Sequence, residues 1–375
     1  MKERTNPVSP SDIDEVAAFD CSHYVRLSGR QWLIVAAVLL ALIGLGPRVW
    51  ERIEGFTPGG DYRVPYELSN DYWLYNRHCN HMCDQGKILV VGDSVIWGHY
   101  VEPDQTLSHY LNELSGGDRF VNLGADGTHP AALQGLLRYY GRDISARTVL
   151  LHFNPLWMSS AKHDLQTTKE FRFNHPALVP QFTPRIPCYR APLSARIRIA
   201  MRREAPFANW VSHMRAAYFQ NMDLAAWTIE HPYECPVTAM TRNLPEPRAP
   251  ERPPQASPAQ KEPRKQDMAW VDLEGSLQWR FFRQAVQMLQ ERGNEVFVLV
   301  GPFNEHMLTD QNKIIYGRLK DGIETWMQGN HVPYLIPSVL PPECYVDASH
   351  PPAEGYVLLA KTLMESPSFK ALILK

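Results

Sequence analysis

Five short apolar runs alternate along the chain with stretches whose apolar residues recur every three to four positions. The runs are KILVVG at 87–92, FVNLG at 120–124, TVLLHF at 148–153, EVFVLVG at 295–301 and PYLIP at 333–337. Their near-continuous apolarity predicts strands buried on both faces. Between them, AALQGLLRYY at 131–140 reads as a helix. Leu277, Phe281, Phe282, Ala285, Met288 and Leu289 keep helical spacing and stop at Gly293, and a further helix carries Ile315, Leu319, Ile323 and Trp326. A last helix is expected from Glu354 to Met364. Strands alternating with helices predict an α/β fold, a doubly wound parallel sheet of five strands covered on both faces.

Three stretches break the pattern. From Trp32 to Gly46 the chain reads WLIVAAVLLALIGLG without a charge, apolar on every side. A helix packed in a soluble domain keeps a polar stripe, so this run is expected to cross a membrane as one helix over 31–50. Trp32 and Trp50 stand where interfacial aromatics sit. Thirty mostly polar residues precede the run and no small-residue cleavage site follows closely, which favours an uncleaved anchor over a signal peptide. Arg26 and Arg30 before it balance Arg48 and Arg52 after it, so charge sets no direction. The simplest reading keeps a disordered tail, 1–30, in the cytoplasm and exports the large C-terminal part. Residues 51–86 then form a juxtamembrane segment, and 87–375 the main domain. Within that domain, 156–233 has helical patches but no strand signal and reads as an insertion. Residues 234–266 are Pro-rich, charged and poor in large apolar residues, and read as a disordered loop.

Composition narrows the function. With 38 Lys and Arg against 40 Asp and Glu the net charge is −2, which gives no general pull toward nucleic acid. Six cysteines are too few for a disulfide scaffold. In an exported domain the expected pairs are Cys79 with Cys83 and Cys188 with Cys235, leaving Cys344 single and Cys21 across the membrane. The cluster from His78 to Asp84 carries metal-ligand residue types, but the second ligand pair of a zinc site is missing and no metal is expected there.

In an open α/β sheet, ligands bind beyond the carboxyl ends of the strands. There the chain places Gly92-Asp93-Ser94, Asn122 to Gly127, His152-Phe153-Asn154 and, before the last helix, Asp347-Ala348-Ser349-His350-Pro351. A serine hydroxyl needs a base, which His350 supplies if Asp347 holds its tautomer. An oxyanion needs fixed donors, for which the Ser94 and Gly127 N–H groups and the Asn154 amide are candidates. Gly124 competes with Gly127. Asp-x-x-His-Pro alone can simply start a helix, and Gly-Asp-Ser alone can simply turn a chain. Their joint, ordered occurrence at strand ends is what selects them. His129, His152 and Trp157 are candidate pocket-lining residues. His99, His163 and His175 have no spacing that selects them.

Taken block by block, the chain resembles the SGNH/GDSL hydrolases. Ser94 in VVGDSVIWG matches the nucleophile block, Asn122 to Gly127 the glycine block, Asn154 the amide position, and Asp347-x-x-His350-Pro351 the last block. The third block departs, since the usual Gly-x-Asn-Asp reads His152-Phe153-Asn154-Pro155. The resemblance implies a flavodoxin-like five-stranded sheet and a serine esterase or acyltransferase that needs no cofactor. Its membrane-anchored form is similar to polysaccharide O-acetylation proteins. That likeness implies acyl esters of an extracytoplasmic glycan as substrate and a membrane-bound O-acyltransferase as partner. The alternatives are a non-catalytic glycan-binding or assembly partner of such a transferase, favoured by His152 and Pro155, and a membrane lipase or thioesterase.

Overall fold

Five parallel strands form one sheet: β1 (Ile88–Gly92), β2 (Phe120–Gly124), β3 (Thr148–Phe153), β4 (Glu295–Val300) and β5 (Tyr334–Leu335), in the order β2-β1-β3-β4-β5. The computed structural model describes residues 27–240, 244–247 and 265–373, and the chain divides between Trp50 and Glu51 into two units. Both sheet faces are dry because strand side chains alternate between two cores. Leu89, Val91, Val121, Leu123, Val149, Leu151, Val296 and Val298 enter one core. Ile88, Val90, Phe120, Leu150, Phe297 and Leu299 enter the other. Each such side chain withdrawn from water contributes about 1.5–3 kcal/mol, so the apolar runs commit to this sheet.

The first core is closed by α2 (Tyr72–Asp84), α5 (Pro130–Tyr139), α10 (Leu277–Glu291) and α11 (Asp310–Gly329). The second is closed by α3 (Ser94–Trp97), α4 (Leu107–Ser115), α12 (Ala353–Glu365) and α13 (Pro367–Ile373). Helix starts follow capping chemistry, with Thr106, Ser276 and Thr309 accepting from backbone N–H groups of the first turns. The helix α13 had no signal in the pattern because it is only 7 residues long. The insertion folds as α6 (Leu193–Arg203), α7 (Pro206–Tyr218) and α8 (Leu224–Glu230), with no strand among its described residues, and a further short helix, α9 (Pro236–Ala239), forms at the start of the stretch 234–266 expected to be a disordered loop. The tail expected over 1–30 and the Pro-rich loop over 234–266 fall mostly outside the described residues.

The apolar run forms α1 (Gly29–Ile53), 25 residues long. It opens with a capping box in which the Ser28 N–H donates to Gln31 Oε1 at 2.8 Å and the Gln31 N–H returns to Ser28 Oγ at 3.4 Å. At about 1.5 Å per residue it reaches about 37 Å, more than a hydrocarbon core of about 30 Å. It is long and apolar enough to cross a membrane.

Residues 51–86, read from the sequence as a juxtamembrane segment, belong to the second unit, and α2 buries Leu74, Tyr75, Cys79 and Met82 in its first core. Cys79 and Cys83 lie one turn apart on this helix as free, buried thiols, and burial raises the pKa of both. Cys188 is buried and Cys235 exposed, also unpaired. Neither expected disulfide is formed: Cys79 and Cys83 pack into the first core, whereas Cys188 is buried and Cys235 stands at the surface. His78 is also buried, its Nε2 3.1 Å from the Asn122 carbonyl oxygen, which places it against the sheet.

A buried charge cluster secures the same segment. His213 on α7 is fully buried, with Nδ1 2.6 Å from Asp71 Oδ2 and Nε2 2.9 Å from Glu54 Oε1. Arg77 pairs with Glu54 at 2.5 Å, and the Tyr218 hydroxyl donates to the same carboxylate. Burial alone would lower the His213 pKa, but the Asp71 and Glu54 carboxylates outweigh it and hold it up at about 9. The folded state therefore favours the proton. Its contribution is complete below the ordinary 6.5 and is lost as pH rises through about 9. Urea unfolding of the full-length protein in mild detergent should show stability falling from pH 7 to pH 10, and His213→Gln should be less stable at pH 7 and lose that slope. A wild-type slope kept intact in His213→Gln would contradict the assignment.

Candidate active site

The turn after β1 sets the site. Asp93 caps α3, its Oδ1 accepting the Val95 N–H at 2.9 Å, so Ser94 occupies the first helical position, where its own N–H has no intrahelical acceptor. The far end of α3 is clamped by Arg63. This fully buried guanidinium donates to the carbonyl oxygens of Trp97 and Gly98 at 2.6 Å each and of Val101 at 2.7 Å, and lies 3.8 Å from the centre of the Trp97 ring. A cation is favoured at a helix carboxyl end. The Tyr356 hydroxyl of α12 donates to the Val95 carbonyl at 2.6 Å, tying α3 to the helix that follows His350.

Ser94, His350 and Asp347 meet. Ser94 Oγ lies 2.8 Å from His350 Nε2, and His350 Nδ1 lies 2.8 Å from Asp347 Oδ2 and 2.9 Å from Oδ1. Asp347 also accepts the N–H groups of Ser349 at 2.9 Å and His350 at 3.0 Å, which fixes the loop as well as the ring. With Nδ1–H donating to Asp347, the lone pair of Nε2 faces the serine hydroxyl, the order of groups a nucleophile and its base require. Burial would lower the His350 pKa, but the Asp347 hydrogen bond and the charges of Asp347, Asp93 and Asp126 raise it above its ordinary value. Burial would raise the Asp347 pKa, but its bonds to His350 and the loop N–H groups lower it.

Behind this row lies a second carboxylate. Asp93 is 3% exposed, and its Oδ2 accepts from Asn154 Nδ2 at 2.9 Å and from Trp157 Nε1 at 3.0 Å, while His152 Nδ1 lies 3.1 Å from Oδ1. Burial would raise its pKa, but His152 and these donors outweigh it and hold it at about 2. Asn154 donates also to Ser349 Oγ at 3.2 Å, bridging the end of β3 to the His350 loop.

These contacts change three expectations. The Asn154 amide, a candidate oxyanion donor, spends its hydrogens on Asp93 and Ser349. His152, a candidate pocket residue, is 2% exposed and held between Asp93 and the Gly301 carbonyl, 2.9 Å from Nε2. His129 is 1% exposed; it caps α5 through Nδ1, which accepts the Ala132 N–H at 3.4 Å, while Nε2 donates to the Asn174 carbonyl at 3.2 Å. Trp157 is half-buried beside Asp93. His163 bonds Ser159 Oγ at 2.7 Å. Gly124 proves structural, since a Cβ there would stand 2.3 Å from the Trp97 nitrogen. Gly127 has φ +68° in the next turn, where a Cβ would meet Asn174 Nδ2 at 2.4 Å.

Other site groups had no sequence signal. His99 Nδ1 pairs with Asp126 Oδ1 at 2.5 Å, and the His99 and His350 rings are 5.4 Å apart. Asp126 also borders a groove of about 690 Å³ lined by Tyr66, Phe171, Phe173, Tyr189 and Glu170. Its wall is tied to the turn by His175, whose Nε2 donates to the Asp126 carbonyl at 2.7 Å while Nδ1 faces the Tyr72 hydroxyl at 3.0 Å. No protein-family model matches the chain, and no curated protein matches its sequence.

Gly124→Ala should destabilise the fold by about 3 kcal/mol or more, because the new methyl meets backbone of α3. Gly127→Ala meets only a movable side chain and pays left-handed strain of about 1–2 kcal/mol. Chemical denaturation of the two variants checks this order. Equal losses would contradict the close approach of α3 to β2.

Proposed function

We propose that the protein is a membrane-anchored serine esterase or acyltransferase of SGNH/GDSL type, acting on acyl esters of a glycan outside the cytoplasm. The observation that carries the reading is the unbroken row from Ser94 Oγ through His350 to Asp347. The strand order and the position of the row beyond the carboxyl ends of parallel strands agree with the flavodoxin-like sheet that the family resemblance implies.

Ser94 Oγ attacks the acyl carbon as its proton passes to His350 Nε2, and the C–O bond to the leaving alcohol breaks as that alcohol takes the proton. Water or a sugar hydroxyl then attacks the acyl-Ser94 ester, giving its proton to His350, which returns it to Ser94. Asp347 stabilises the imidazolium formed in each half. The Ser94 and Gly127 N–H groups are the oxyanion donors in this scheme, and Asn154 positions Asp93 and Ser349. No step requires a cofactor.

The acceptor side follows from the groove beside Asp126. Its four aromatic rings with carboxylates on the walls suit a polyhydroxylated ligand better than the continuous apolar lining a long acyl chain would need, which supports a glycan over the lipase or thioesterase reading. The insertion supplies Glu170, Phe171, Phe173 and Tyr189 to this groove. The row of three groups favours an enzyme over a non-catalytic partner, because each member satisfies the next.

In p-nitrophenyl acetate hydrolysis by the full-length protein, Ser94→Ala and His350→Ala should each lower the rate by about 10³-fold or more. Undiminished hydrolysis in Ser94→Ala would sink the assignment, and an inert wild type of intact fold would favour the non-catalytic partner. The base must be neutral, so the rate should rise with pH through a midpoint above the ordinary histidine value. Asp347→Asn should move that midpoint to lower pH and reduce the plateau.

A further inference from the structure

Beyond Ile53, fifteen large hydrophobic residues are exposed among the described residues, and eight of them fall between Leu193 and Val237. Three form a ridge on α6 at four-residue spacing, Leu193, Ile197 and Met201, with 65%, 44% and 69% of their surface exposed. The same region is basic. Residues 185–222 hold seven arginines and a single acid, Glu204, which already pairs with Arg142 at 2.8 Å. Arg196 and Arg203 turn inward onto backbone carbonyl oxygens. Arg198 and Arg202 instead line a groove of about 1040 Å³ along α6 and α7, together with Ile197 and Met201, and Arg215 borders it while donating to the Asn221 carbonyl at 2.7 Å.

We propose that this face docks on a bilayer carrying anionic lipid headgroups. The ridge enters the interface, and Arg198 and Arg202 meet headgroup phosphates. A soluble polyanion would engage the arginines but gain nothing from three aliphatic side chains in a row, whereas an amphipathic helix at a membrane surface uses both. The inference rests on α1 crossing the membrane. The second unit begins at Glu51, within the end of that helix, so its chain is held at a bilayer and a contact too weak for a free protein suffices.

The test uses the full-length chain with Cys21→Ser and Cys235→Ser, labelled with bimane at Met201→Cys or, as a control, at the exposed Ile315→Cys on α11. It is reconstituted in vesicles of phosphatidylcholine alone or mixed with phosphatidylglycerol, with brominated acyl chains as quenchers. Quenching should be strong at 201 in the anionic vesicles, weak at 315, and reduced in phosphatidylcholine alone. In Arg198→Glu/Arg202→Glu the docked population should fall by about fivefold for each arginine removed. Equal quenching at the two sites, quenching indifferent to phosphatidylglycerol, or full quenching in the double variant would each overturn the proposal. A chain that fails to float with either vesicle would overturn the anchor reading and this one together.

Discussion

A carboxylate buried at the ends of β1 and β3 is the constraint on which the site depends. Asp93 loses nearly all its water, a cost that only nearby donors and positive charge offset. Its two oxygens gather the Val95 N–H, the Asn154 amide, the Trp157 indole and the His152 ring. Each of those partners comes from a segment that must arrive at the right distance. Through Val95 it sets the start of α3 and hence Ser94. Asn154 carries the same constraint to Ser349, next to His350. The spacing of Ser94 and His350 is thus held by a carboxylate outside the row that joins them.

The parallel sheet was legible because a strand buried on both faces leaves an unmistakable apolar run, and β2 and β4 appear where those runs stand. Ser94, Asp347 and His350 were legible because their blocks fall in order at strand ends, and the structure brings the three together. The direction of a side chain was not. Nothing in the spacing says that the Asn154 amide turns toward Asp93, or that His129 and His152 face inward as a cap and a brace. A sequence places a residue at a strand end, while packing of neighbouring segments decides which hydrogen bonds it finishes with. Arg63, His99 and Asp126 were missed for the same reason, since their partners lie 27 to 38 positions away and follow no period.

The segment 51–86 illustrates a different failure. It was read as a juxtamembrane segment apart from the main domain, yet α2 buries one face in the first core and His213 binds Glu54 and Asp71 at its start. Charge that looks solvated in sequence becomes structural once another element closes over it. The insertion reverses this case, since the helical patches read there leave an aliphatic and arginine-rich face open on α6. One part of the insertion borders the groove beside the candidate site and another carries this face, so a region without strands supplies the protein's most distinctive surfaces.

The central claim is that Ser94 is a nucleophile activated by His350. Peptide mass mapping of the full-length protein after reaction with a fluorophosphonate ester measures this directly, because the probe reports the activated hydroxyl and needs no knowledge of the natural acyl donor. The account predicts one phosphonyl group, on Ser94, in the wild type and almost none in His350→Ala. An unmodified Ser94 in correctly folded wild-type protein, or equal labelling in His350→Ala, would contradict it.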